Sequence, residues 1–77
     1  MQSLLSYKTR VGTFYICCSR DGRFHPVFQD ESLGSYAYMW QAVEDLAGGH
    51  TFSAPGIDDT ANLGIPDEWQ EWNKICS

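Results

Sequence analysis

The run "VGTFYICCSRDGRFHPVFQ", Val11 to Gln29, decides how the chain folds. Its first part, Val11 to Ser19, is β-branched, aromatic and cysteine-rich, which fits a pleated, half-buried strand. A period of two places Phe14, Ile16 and Cys18 on one face and Thr13, Tyr15 and Cys17 on the other. Asp21-Gly22 then stands between two apolar runs. That pair is a hairpin signal, because glycine accepts the positive φ of a type I′ turn. The second strand runs from Arg23 to Gln29, with Phe24 and Phe28 on one face and Arg23, His25 and Val27 on the other. Pro26 has no N–H to give a ladder, so it asks for an edge position or a bulge.

Beyond the hairpin, "DES" (Asp30 to Ser32) reads as the next turn and "LGSYA" (Leu33 to Ala37) as a short third strand. Then the period changes. Met39, Ala42, Val43, Leu46 and Ala47 fall at i, i+3, i+4, i+7 and i+8, a single helical stripe. Gln41, Glu44 and Asp45 take the other side. The helix begins near Ser35 or at Ala37-Tyr38, without an ideal cap. It stops at "DLAGGHTF". Gly48 is expected in the left-handed position after the stripe, Gly49 lets the chain leave, and the His50 imidazole is expected on the last carbonyls. Gly48, Gly49 and His50 are thus read as a structural helix stop.

Residues 50–66 read as a long loop with one turn around Asp58 to Asn62; loops of this length tend to be functional. Phe52, Ile57, Leu63 and Ile65 could pin it to the core. "PDEWQEWNKI" predicts a short helix: Pro66 suits the first position, and Asp67 and Glu68 suit the positive end of the dipole. On the other side of the hairpin, residues 1–10 are polar and mixed, and a loose start or an extra edge segment is expected. Together these readings predict a single small domain over residues 1–77, of class α+β. It is a three-stranded antiparallel sheet with one main helix packed on it, a long loop and a short C-terminal helix.

A chain of 77 residues buries only about 60% of its unfolded surface. Most of its four Phe, four Tyr and three Trp are therefore needed for the core. The net charge is −5 and is uneven: four basic residues and one acid precede Asp30, while nine acids and only Lys74 follow from there. An acidic chain disfavours non-specific nucleic-acid binding, which rests on phosphate neutralisation. "MQSLL" lacks a basic region followed by a long apolar run, and no apolar run approaches a membrane-spanning length. Three cysteines, two of them adjacent, make a poor disulfide framework and point to reduced thiols in a cytoplasm.

The candidate chemistry is sparse. A catalytic His50 needs an orienting partner, and a metal needs several ligands. A small metal or thiol site from His25, His50 and Cys17 has no recognisable spacing. Cys17 and Cys18 point to opposite faces of a strand; Cys18 is expected in the core and Cys17 exposed. The pairs Asp58-Asp59 and Asp67-Glu68 lack the alternating pattern of a calcium loop. Trp69 and Trp72 lie near one helical face. They are core residues or, where exposed, anchors of a protein interface beside Asp58 and Asp59. Arg10, Tyr15, Arg20, Arg23 and His25 could form a basic, aromatic face for nucleic acid on the bare side of the hairpin.

Two resemblances add to this. The β-β-β-α order, with "LGSYAYMWQAVEDLA" crossing from strand to helix, resembles a plant type of DNA-binding domain built from three strands and one helix. The Arg and Trp that such domains carry on their strands are scarce here. "DESLGSY", "LAGGHTFS" and "GIP" are similar to a family of small, uncharacterised bacterial proteins, over about Thr13 to Trp72. That resemblance implies a compact stand-alone domain and supplies no catalytic residue. The expectation is a non-enzymatic cytoplasmic bacterial domain without a cofactor, acting through a protein partner or self-association. Nucleic-acid binding through the hairpin face is the alternative, and a metal or thiol site the second alternative.

Overall fold

The strand expected between Val11 and Ser19 forms at Gly12–Cys18, in the middle of the sheet. The computed structural model describes residues 2–51 and 60–75. It contains β1 (Gln2–Thr9), β2 (Gly12–Cys18), β3 (Phe24–Phe28), β4 (Glu31–Ser32), α1 (Met39–Gly48) and β5 (Asn73–Lys74). The strands make one antiparallel sheet in the order β4-β3-β2-β1-β5, with α1 packed on one side. The α+β class and the main helix are as expected, but the sheet has five strands rather than three.

The segment expected as a loose start or an extra edge segment is a full strand of the sheet, β1, and β5 pairs along its outer side. The adjacent Leu4 and Leu5 break its alternation. A bulge between Ser3 and Leu5 absorbs the irregularity and sets Leu5 opposite Ile16 and Tyr7 opposite Phe14. The expected C-terminal helix is instead a 3-10 turn at Trp69–Glu71, and the chain is already extended at Trp72. Trp72 is 3% exposed, with its ring 5.7 Å from Tyr7 and its Nε1–H on the Pro66 carbonyl at 3.1 Å. Burying that indole against β1 overrides the local helical pattern, and Asn73–Lys74 then joins the sheet.

The two turns also differ from expectation. At Ser19–Arg23 only Gly22 has a positive φ, 80°. Gly22 N–H bonds the Ser19 carbonyl and Ser19 N–H the Arg23 carbonyl, a type I turn closed by a glycine bulge rather than a type I′ turn. Paired left-handed residues occur one turn later, at Gln29 (φ 51°) and Asp30 (φ 65°), so β4 begins at Glu31 within the expected turn. The "LGSYA" segment contributes a single bridge, in which Phe24 and Tyr36 exchange two 2.8 Å bonds. Pro26 lies in β3 with its polar edge towards β4, where Leu33 N–H bonds its carbonyl at 2.7 Å. Its missing donor therefore faces the short outer strand.

The core is Leu5, Phe14, Ile16 and Phe28 from the sheet, Ala42, Val43 and Leu46 from α1, and Leu33, Ile65 and Trp72. Phe14 and Phe28 stack at 4.4 Å. Each large side chain buried this way contributes about 1.5–3 kcal/mol. α1 starts at Tyr38, whose side chain makes no cap bond. Its left-handed residue is Gly49 (φ 77°), one position later than expected. His50 ends the helix through its backbone: its N–H bonds the Asp45 carbonyl at 2.8 Å while Gly49 N–H bonds that of Leu46. A 3-10 turn at Thr60–Leu63 then docks on α1, where Thr60 Oγ1 donates to the Leu46 carbonyl at 2.6 Å. Leu63 and Ile65 do pack on the core; Phe52 and Ile57 lie outside the described residues.

The cysteines exchange the places expected of them. Cys17 is 6% exposed and Cys18 half-buried. Cys17 sits within the sheet between Ser3 and His25, 3.5 Å from Ser3 Oγ. Cys18 lies at the strand end, between Gln2 and Phe24.

Candidate functional site

Three surfaces hold the chemistry-bearing side chains. The first is the bare face of the hairpin. His25 Nδ1 is 2.8 Å from the Gly34 carbonyl and 3.1 Å from Ser32 Oγ, and Nε2 is 3.1 Å from Ser19 Oγ. Both ring nitrogens are thus engaged within the fold. The Ser19 hydroxyl donates to Asp21, and this bond is the main cause holding the Asp21 carboxyl below its ordinary value. Ser19 and His25 stand at nucleophile–base distance, but the hydroxyl is turned to Asp21 rather than offered to the imidazole. Arg23 donates through Nε to Ser35 Oγ at 2.6 Å and through Nη2 to the Ser35 carbonyl at 3.0 Å. Arg10 donates to the Asn62 carbonyl at 3.0 Å. Of the residues expected to meet nucleic acid, Arg10, Arg23 and His25 therefore serve the fold, while Tyr15 and Arg20 stay exposed. Tyr15 and Val27 line an open hollow of about 490 Å³ on this side.

The second surface lies where "LGSY" meets "LAGGH". Gly34 admits the Tyr36 ring, and Gly48 admits the His50 ring: a Cβ on either would stand 2.8 Å and 2.9 Å from those rings. The two rings share a hollow of about 230 Å³ with Leu33, Ser35 and Thr51. The Tyr36 hydroxyl donates to Asp45. Burial, then that bond and the nearby carboxylate charge, push its pKa up to about 12. Among the described residues no three His, Cys, Asp or Glu side chains come together as metal ligands.

The third surface is the outer side of α1, which the sequence reading passed over. Tyr38 is 57% and Trp40 50% exposed, and their rings stack at 5.8 Å with 16° between planes. The signal was partial: Trp40 stands at the edge of the stripe of Met39, Ala42, Val43, Leu46 and Ala47, in line with Ala47, where a ring faces solvent or core according to how the stripe docks. Glu44 follows Trp40 by one turn, and both are exposed. Of the two tryptophans read as core residues or, where exposed, interface anchors, Trp72 is a core residue. Trp69 is half-buried, with the Lys74 ammonium 5.2 Å from its ring centre. Asp58 and Asp59 lie outside the described residues.

No helix among the described residues is long and apolar enough to cross a membrane. Comparison with family models, curated proteins and solved structures finds no match for this chain.

Proposed function

We propose that the chain is a non-enzymatic interaction domain that holds another protein on the outer face of α1. The observation that carries this reading is the stacked pair of Tyr38 and Trp40. Two large rings at least half exposed on a domain this small are costly to leave in water, and tyrosine and tryptophan dominate the binding energy of protein interfaces. Nucleic-acid binding has less support, because Arg10 and Arg23 are bonded within the fold. Site-specific photo-crosslinking in the cells of origin tests the reading. A photoreactive phenylalanine analogue in place of Trp40 is expected to give a discrete protein adduct, and the same group at Lys8 on the sheet is not. No protein adduct from position 40, or a nuclease-sensitive adduct from Lys8 alone, overturns it.

A further inference from the structure

The exposed face of α1 continues from Trp40 into a cleft lined by carboxylates. Helical spacing puts Trp40, Glu44, Ala47 and Gly48 along one side of the helix, over about 12 Å. Glu44, Ala47 and Gly48 make one wall of a cleft of about 320 Å³, and Ile65, Pro66 and Asp67 make the other. Glu44 and Asp67 are both exposed, and neither carboxylate takes a side-chain hydrogen bond or ion pair among the described residues. Three of the chain's five Lys and Arg are engaged elsewhere, Arg10 on Asn62, Arg23 on Ser35 and Lys74 over Trp69, and the other two, Lys8 and Arg20, are exposed on the strands and turn of the hairpin side.

We propose that this face receives a basic, extended segment of a partner protein. A lysine or arginine of that segment enters the cleft between Glu44 and Asp67, and a neighbouring apolar side chain lies on the Tyr38–Trp40 pair. The inference rests on the interface reading above and gives its partner a chemistry. Charge complementarity selects the occupant. From Asp30 onward the sequence carries nine acids and only Lys74, so its field attracts a cation and repels an acidic peptide or a nucleic acid. The aromatic pair adds a second attraction of the same sign, since the face of an indole or phenol ring is negative.

Fluorescence anisotropy on the full chain tests this with two labelled peptides, one of alternating arginine and leucine and one with glutamate for each arginine. The arginine peptide is expected to bind and to weaken as salt rises, and the glutamate peptide is expected not to bind. The W40A variant is expected to lose affinity by about tenfold or more. E44Q/D67N is expected to lose about tenfold, and the remote pair D30N/E31Q less than about twofold. E44K/D67K is expected to take the glutamate peptide instead. Circular dichroism confirms that each variant is folded. Equal binding of both peptides, or equal losses in E44Q/D67N and D30N/E31Q, overturns the basic-segment inference. If W40A abolishes binding while E44Q/D67N does not, the inference falls and the Trp40 interface stands. If W40A changes nothing and position 40 gives no crosslink, both fall.

Discussion

Tyr36 shows how a single contact ties the turn region to the helix. Its hydroxyl donates to Asp45 on α1, its ring lies over Gly34, and its backbone pairs with Phe24. In the unfolded chain a tyrosine ionises near pH 10; in the fold this one is pushed up to about 12. The folded state therefore keeps a proton that the unfolded state has released. The stability this residue adds is fully present below about pH 10 and is lost as pH rises towards about 12. Urea unfolding at a series of alkaline pH values is expected to show this decline, and Tyr36→Phe is expected to flatten it. The same slope in both proteins would show that other groups cause it. At this scale the sequence was a partial guide. The motif blocks "LGSY" and "LAGGH" were visible, but not that their rings meet across a hollow. Trp40 was visible as a residue at the edge of the stripe, but its exposure depended on where the stripe would dock.

The elements divide by how far their signals are local. β2, β3 and α1 could be read because each carries its own period, of two or of 3.6, over several residues. β1 could not, because Leu4 and Leu5 both pack inward and cancel its alternation. β4 and β5 have two residues each and exist only through their partners. The final segment carries a local signal that the fold overrides: Trp69 and Trp72 are spaced as on a helix, while the burial of Trp72 on Tyr7 decides the conformation. β1 has a measurable consequence. Leu5 lies at 3% exposure opposite Ile16, with β5 on its other side, while Leu4 is only partly buried in the bulge. Leu5→Ala is expected to cost about 2–5 kcal/mol, because the interlocked strands cannot collapse onto the void. Domains of this kind have only about 5–15 kcal/mol in total. Leu4→Ala is expected to cost clearly less. Denaturant unfolding compares them, and equal losses would mean that β1 is an appended strand rather than part of the core.

At the scale of the whole molecule, charge sets the company the protein keeps. A small domain gains core by pairing with itself, and the exposed Tyr38 and Trp40 invite that. A two-fold dimer through this face, however, brings Glu44 and Asp67 towards their own copies. Like charges meeting in a desolvated contact oppose association, and the screening length is about 10 Å at 0.1 M salt, comparable to the whole strip from Trp40 to Gly48. The acidic surplus of the later sequence was legible from the start; that Glu44 and Asp67 face each other across one cleft needed the fold. The purified chain is accordingly expected to sediment as a monomer at low ionic strength. Any self-association is expected to strengthen with added salt, the reverse of its dependence for a basic peptide. Sedimentation velocity across a salt series distinguishes the two. A stable dimer at low salt, dissociating as salt rises, would mean that the face is built to meet itself and that its carboxylates find cations on the second copy.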